Sequence, residues 1–171
     1  MRNIFKKYYE MSKDTKEILG ELYMIHELES LLPEYEELKI TTLKEEEIIA
    51  KSAIECWYYS NIDGGEIVGR ILNLLECEEI TIEDLETMEI DELKELISED
   101  KADFEENTCK DVILSNFIYK DYNCVFFKDK ERLILTFEKN NDVDVCIFNS
   151  LEEMLAYIVN SRLKVKGVII E

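Results

Sequence analysis

Residues 117–148 read FIYKDYNCVFFKDKERLILTFEKNNDVDVCIF. Four runs within them, Phe117–Lys120, Tyr122–Lys128, Arg132–Glu138 and Val143–Phe148, are rich in β-branched and aromatic side chains, the composition of strands. In the third, Leu133, Leu135 and Phe137 alternate with Arg132, Thr136 and Glu138, which puts apolar side chains on one face of a pleated strand. Asn140-Asn141-Asp142 supplies residues that tolerate positive φ, as a tight hairpin requires. Spacers this short allow only antiparallel neighbours, so the stretch reads as a β-meander.

Toward the C-terminus, Ser150-Leu-Glu-Glu153 has the form of a capping box, and Leu151, Met154, Leu155 and Ile158 then form one helical stripe. Leu163–Ile170 reads as a final strand. Toward the N-terminus the period changes to that of helices. Asp14-Thr-Lys-Glu17 marks a helix start, followed by Ile18, Leu22, Ile25 and Leu32 on one face. Pro33 ends this helix or opens a short one through Glu37. Thr42-Leu-Lys-Glu45 caps a helix with Leu43, Ile49, Ala53, Ile54 and Trp57 inward; residues Ser60 to Gly65 form a turn; Ile67, Ile71, Leu74 and Leu75 form the apolar side of the next helix.

Thr81-Ile-Glu-Asp84 caps a short helix, and Ile90-Asp91 opens another, Glu92 to Ser98. The phrase TIEDLETMEIDELKELI resembles the paired short helices of SAP domains. Those modules hold phosphate with basic residues, whereas this stretch is acidic with Lys94 its one cation, so the resemblance is dropped. The expected fold is α+β: an acidic, mainly helical region over residues 1–107, then a β-rich region over 108–171 with a small antiparallel meander, one packed helix and a terminal strand. No internal repeat and no Gly/Ser/Pro-rich linker interrupts the chain.

Charge is the most informative feature. The chain carries 40 acidic and 20 basic side chains, a net charge of −20. Residues 17–107 hold 28 of the acidic groups and six of the basic ones. From Glu76 to Glu106 there are 15 carboxylates against Lys94 and Lys101 alone. As a helix this stretch would span at most ~46 Å at ~1.5 Å per residue. That is one net charge per ~3.5 Å, about half the axial density of duplex DNA. Such a charge attracts basic surfaces and disfavours direct binding to nucleic acid or an anionic membrane. A charge run of this kind is also the ordinary dress of a solvated face.

Chemistry-bearing motifs are sparse. His26 is the sole histidine, so neither a two-histidine metal site nor a zincin motif can be built, and a triad would have to take its base from an acidic amphipathic helix. The five cysteines, Cys56, Cys77, Cys109, Cys124 and Cys146, include no CxxC pair, and most of them read as buried thiols. Asp63-Gly64-Gly65-Glu66 with Gly69 is the one glycine cluster, a turn in which Gly65 and Gly69 permit close helix contact rather than a phosphate cradle. Asn140, Asp142 and Asp144 alternate like the start of a calcium loop, but Val145 and Leu151 stand where glycine and glutamate are needed. The pairs Glu37/Lys39 and Glu92/Lys94 lack the strand-borne Asp of a nuclease site. No cofactor, metal or catalytic residue is expected.

No segment approaches the ~20 apolar residues of a membrane helix, and no signal peptide is evident at the N-terminus, so a cytoplasmic protein is expected. Abundant Ile, Lys, Asn and Glu with only four alanines is the composition of AT-rich bacterial or phage genomes. Composition and charge together point to an inhibitor of a basic nucleic-acid-binding protein, such as a CRISPR effector or a nuclease. The acidic block would occupy a channel meant for phosphates, as in an anti-CRISPR or other anti-defence protein. The alternative is a cytosolic adaptor or immunity-type protein whose acidity serves solubility. The expected contact residues are Glu76, Glu78, Glu79, Glu83, Asp84, Glu86, Glu89, Asp91 and Glu92, with Tyr58 and Tyr59 as aromatic anchors.

Overall fold

The computed structural model describes residues 4–5, 18–20, 22, 24–35, 38, 40, 42–105, 112–130 and 132–157. The fold is α+β, and the chain forms two compact units. One comprises Met24–Lys110; the other joins Met1–Tyr23 to Asp111–Glu171.

In the sheet unit, β1 (Ile4–Phe5), β2 (Val112–Tyr119), β3 (Tyr122–Asp129), β4 (Arg132–Lys139) and β5 (Asp142–Phe148) lie in the order β1-β5-β4-β3-β2. Strands β2 to β5 form the antiparallel meander, and β1 adds parallel to β5 with Ile4 opposite Asp144. A two-residue strand such as β1 has no alternation long enough to read in the sequence. Lys120-Asp121 and Asn140-Asn141 have positive φ at both central positions, the twist that two-residue hairpins favour.

The register explains the core. Leu133, Leu135 and Phe137 face Lys128, Phe126 and Cys124 on one side and Phe148, Cys146 and Asp144 on the other. Of these, Leu133, Leu135, Phe126, Cys124, Phe148, Cys146 and Phe137 are at most 3% exposed. Strand β2 starts five residues before the expected Phe117. A bulge between Ile113 and Ser115 shifts the pairing, so Val112 and Leu114 are buried before it and Ser115 and Phe117 after it. That change of phase hides the strand from a period-two reading.

Residues 151–157 form a helix. Ser150 Oγ accepts the Glu153 N–H at 3.1 Å, while the Glu153 carboxylate accepts from Asn149 N–H rather than from Ser150 itself. Met154 is fully buried, and the Tyr157 ring lies 5.5 Å from that of Phe148. The helix therefore packs on the face that carries Phe148. Ile158 of the expected stripe and the expected strand Leu163–Ile170 lie outside the described residues, as does Cys109.

The helical unit contains α1 (His26–Leu31), a 3₁₀ turn (Leu32–Tyr35), α2 (Leu43–Tyr58), α3 (Gly64–Glu76), α4 (Ile82–Thr87), α5 (Ile90–Ile97) and a second 3₁₀ turn (Lys101–Phe104). Ile49, Ala53, Ile54 and Trp57 of α2 meet Ile67, Ile71, Leu74 and Leu75 of α3 in a core to which α4 and α5 contribute Leu85, Leu93 and Ile97. Both expected capping boxes form, Thr42 with Glu45 and Thr81 with Asp84.

The expected helix through Ile18, Leu22, Ile25 and Leu32 is not continuous. Residues 18–20 and 22 are helical, but Ile25 takes φ 49 and α1 starts afresh at His26. The break coincides with the passage from one unit to the other, where a single apolar stripe cannot serve two cores. A β-branched residue at positive φ costs about 1–3 kcal/mol. Full burial of the Ile25 side chain, worth about 1.5–3 kcal/mol, offsets it. Leu32, expected inward, is half-exposed.

Gly65 and Gly69 also part company. A Cβ on Gly65 would come within 3.1 Å of Glu27 Cγ, so that glycine does permit close contact with α1. A Cβ on Gly69 would meet nothing within 4 Å. Gly69→Ala is therefore expected to raise stability by about 0.5–1 kcal/mol in denaturant unfolding, through helix propensity alone. In the sheet unit, the Ser115 hydroxyl is buried at the bulge with no hydrogen-bond partner among the described residues. Ser115→Ala removes that desolvated group and should stabilise by about 1 kcal/mol, read from the same unfolding curves.

Candidate acidic docking surface

Helices α4 and α5 are short, and each buries little: Leu85 in α4, Leu93 and Ile97 in α5. Apart from the half-buried Lys94, the polar positions of the pair face outward, because few apolar side chains anchor each helix. Consequently Glu76, Glu78, Glu79, Glu83, Asp84, Glu86, Glu89, Asp91 and Glu92 are all exposed. Glu95, Glu99, Asp100 and Glu105 add to the same acidic exterior.

Several of these carboxylates also have structural duties. Asp84 accepts the Thr81 N–H at 2.9 Å and closes the α4 cap. Glu86 pairs with Lys44 at 3.7 Å. Asp91 pairs with Lys94 at 3.3 Å. Glu78 has φ 57 at the position just past the α3 C-cap, where glycine is favoured. Of the nine, Glu76, Glu79, Glu83, Glu89 and Glu92 make no such side-chain bond or ion pair among the described residues.

The cations of the region do little to neutralise that exterior. The Lys94 side chain is only 21% exposed; its Nζ lies 5.0 Å from the Tyr59 ring centroid and 5.7 Å from that of Phe104. Arg70 is turned inward, 12% exposed. Its guanidinium donates to Asp103 Oδ2 at 2.8 Å, the Ile97 carbonyl at 3.0 Å and Glu66 Oε1 at 2.7 Å, with Glu99 at 3.5 Å. Asp103 in turn accepts from the amides of Glu99 and Asp100. Asn61 donates to the carbonyls of Ala102 and Glu105, tying the same turn to the end of α2.

These contacts set two pKa shifts. Burial works to raise the Asp103 pKa, but the hydrogen bonds from Arg70, Glu99 and Asp100 outweigh it, and the carboxyl is held below its usual range. Burial works to lower that of Arg70, and its bonds to Asp103 and Glu66 outweigh it in the other direction. Cys56 is pushed up to about 12 by burial and by Glu55, against the pull of Lys94, and Cys124 to about 11 by burial. Both thiols are protonated at neutral pH and are poor nucleophiles.

A cleft of about 400 Å³ opens in the helical unit between Leu38, Ile40, Leu75, Glu78, Ile80, Thr81 and Ile82. Periodicity does not gather these residues into a site. The trace they leave in the sequence is Ile80 and Ile82, the apolar pair inside the acidic run on either side of the capping Thr81. Of the expected aromatic anchors, Tyr58 is half-buried and Tyr59 is 47% exposed, with their rings edge-to-face at 4.9 Å. The contact with Lys94 places Tyr59 beside α5. Trp57 is core, as expected. The side chain of His26 lies outside those described.

Among the described residues, no cluster of His, Cys, Asp or Glu is arranged to hold a metal ion, and no helix is long and apolar enough to cross a membrane. No protein-family model, curated protein or solved structure matches the chain.

The Arg70 cluster generates a prediction about pH. Because the native Asp103 pKa is lowered, its contribution is complete above the unfolded Asp value near ~3.9 and is lost as pH falls through the native value. Asp103→Ala leaves Arg70 without its most buried partner and should cost about 3–5 kcal/mol at pH 7. The gap from wild type, measured by denaturant unfolding across pH, should narrow steadily at acid pH.

Proposed function

We propose that this protein binds a basic surface of a nucleic-acid-handling protein and competes there with nucleic acid. The observation that carries the reading is the exposure of all nine carboxylates expected to make contact, from Glu76 to Glu92, beside Arg70 and Lys94, which are paired and turned inward. A surface carrying this many outward carboxylates on two short helices and their turns offers a phosphate-binding channel an attractive negative field. Inhibition of an anti-defence kind, with a CRISPR effector or a nuclease as the target, is the form of this activity that the composition favours.

Like charges crowded on short helices weaken the fold, which gives an acidic exterior a cost that solubility alone does not require. The solubility reading nevertheless makes a different forecast and is separable by experiment. Glu76, Glu79, Glu83, Glu89 and Glu92 are replaced together with Gln, sparing Asp84 for its cap and Glu78 for its backbone. Wild type and variant are immobilised and used to capture proteins from a bacterial lysate at about 50 mM and about 200 mM salt. Wild type should retain nucleic-acid-binding proteins at low salt and release them at high salt. The variant should stay folded and lose them, with affinity reduced by at least about tenfold. Equal capture by both would assign the acidity to solubility.

A further inference from the structure

The cleft at the foot of α3 adds an apolar anchor site to the acidic exterior, and the inference from it rests on the docking reading above. Leu38, Ile40, Leu75, Ile80 and Ile82 line it, and Leu38, Ile40 and Ile82 are half-exposed, so apolar surface remains open to water. Glu78 stands among them as the charged group of the lining. Its neighbours in the chain, Glu76, Glu79 and Glu83, are exposed. At φ 57, Glu78 occupies a backbone position where glycine would be less strained, so the carboxylate is kept there at a cost to the fold.

We infer that this cleft takes an apolar side chain of a basic amphipathic segment of the partner, one flanked by Lys or Arg. Charge selects this occupant. Glu78 lines the cleft, and the exposed Glu76, Glu79 and Glu83 adjoin its lining residues in the chain, so together they attract a segment that presents cations beside its anchor. A second copy of the chain would bring its own net charge of −20 to the contact and is repelled. The arrangement is that of an interface in which an apolar pocket supplies affinity and a charged rim supplies steering. The acidic block therefore distinguishes a folded basic protein segment from a simple polycation.

The test uses the full chain and two synthetic helical peptides, one of leucine and lysine, the other with each leucine replaced by alanine. Affinity is measured by fluorescence anisotropy at about 50 mM and about 200 mM salt. The leucine peptide should bind at least about tenfold more tightly, since it alone buries a large apolar side chain, and the gap should survive the rise in salt. The methyl signals of Leu38, Ile40, Ile80 and Ile82 should shift on its addition. Leu38→Gln with Ile82→Gln should close the gap. Glu78→Gly relieves the backbone, so it should melt at a higher temperature yet bind the leucine peptide about two- to fivefold more weakly at low salt. Equal binding of both peptides, falling together with salt, would overturn the cleft and leave the acidic surface standing. Absence of binding by either at low salt would overturn both. Methyl shifts that depend on protein concentration without peptide would assign the cleft to self-association and overturn the inference.

Discussion

A single buried cation organises the acidic unit. Arg70 projects from the middle of α3 and is held by Glu66 on its own helix, by Asp103 and Glu99 on the segment after α5, and by the Ile97 carbonyl that ends α5. Helices α4 and α5 bury only three large side chains between them, Leu85, Leu93 and Ile97, too little apolar area to hold two short, self-repelling helices by packing alone. The guanidinium supplies what the core does not: it converts repulsion among Glu66, Glu99 and Asp103 into a shared attraction, in a site where three carboxylates without it would oppose one another. The turn at Lys101–Phe104 that carries Asp103 is fixed further by Asn61, so the far end of the acidic run is tied to the end of α2.

That clamp explains how so acidic an exterior can coexist with a fixed fold. Two of the cations within the acidic unit are turned to internal work. Arg70 closes the clamp, and Lys94 lies against Tyr59 and Phe104 while paired to Asp91. What remains outside is predominantly negative. Each helix start also accepts some of that charge favourably, because the first turns of α2, α4 and α5 carry acidic residues where the helix dipole stabilises them. Charge that serves the caps and the clamp is structural. Charge on Glu76, Glu79 and Glu89 has no such duty among the described residues; with Glu83 and Glu92, which favour their helix starts but make no cap or clamp bond, it is the share open to recognition.

Much of this architecture is legible in the amino-acid sequence. The alternation of Leu133, Leu135 and Phe137 identifies β4, the strand at the middle of the sheet, and Asn140-Asn141 identifies its hairpin. Thr42 and Thr81 mark their helices because a capping box is a local device that needs nothing from the rest of the chain. The departures from expectation share a cause, which is dependence on partners distant in sequence. The bulge at Ile113/Ser115 changes the phase of β2 for the sake of its pairing with β3. The break at Ile25 answers to the division between two units. Residues of the acidic surface are readable as charge, but the Arg70–Asp103 pair spans 33 positions, and the cleft joins Leu38 to Ile82. Spacing along the chain does not reveal either. A lone arginine four residues after Glu66, in a stretch otherwise without cations, is the trace that the clamp leaves.

The central claim is that the acidic exterior competes with nucleic acid for a basic protein surface. Elution of nucleic-acid-binding proteins from immobilised duplex DNA measures it most directly. Host proteins are loaded onto the DNA, and the free protein is added at constant salt. Wild type should release a defined protein from the DNA, and the protein alone should give no shift of duplex DNA in a gel. The form with Gln at residues 76, 79, 83, 89 and 92 should release nothing at the same concentration. Release that is unchanged by those substitutions, or direct binding of the protein to the DNA, would contradict the account.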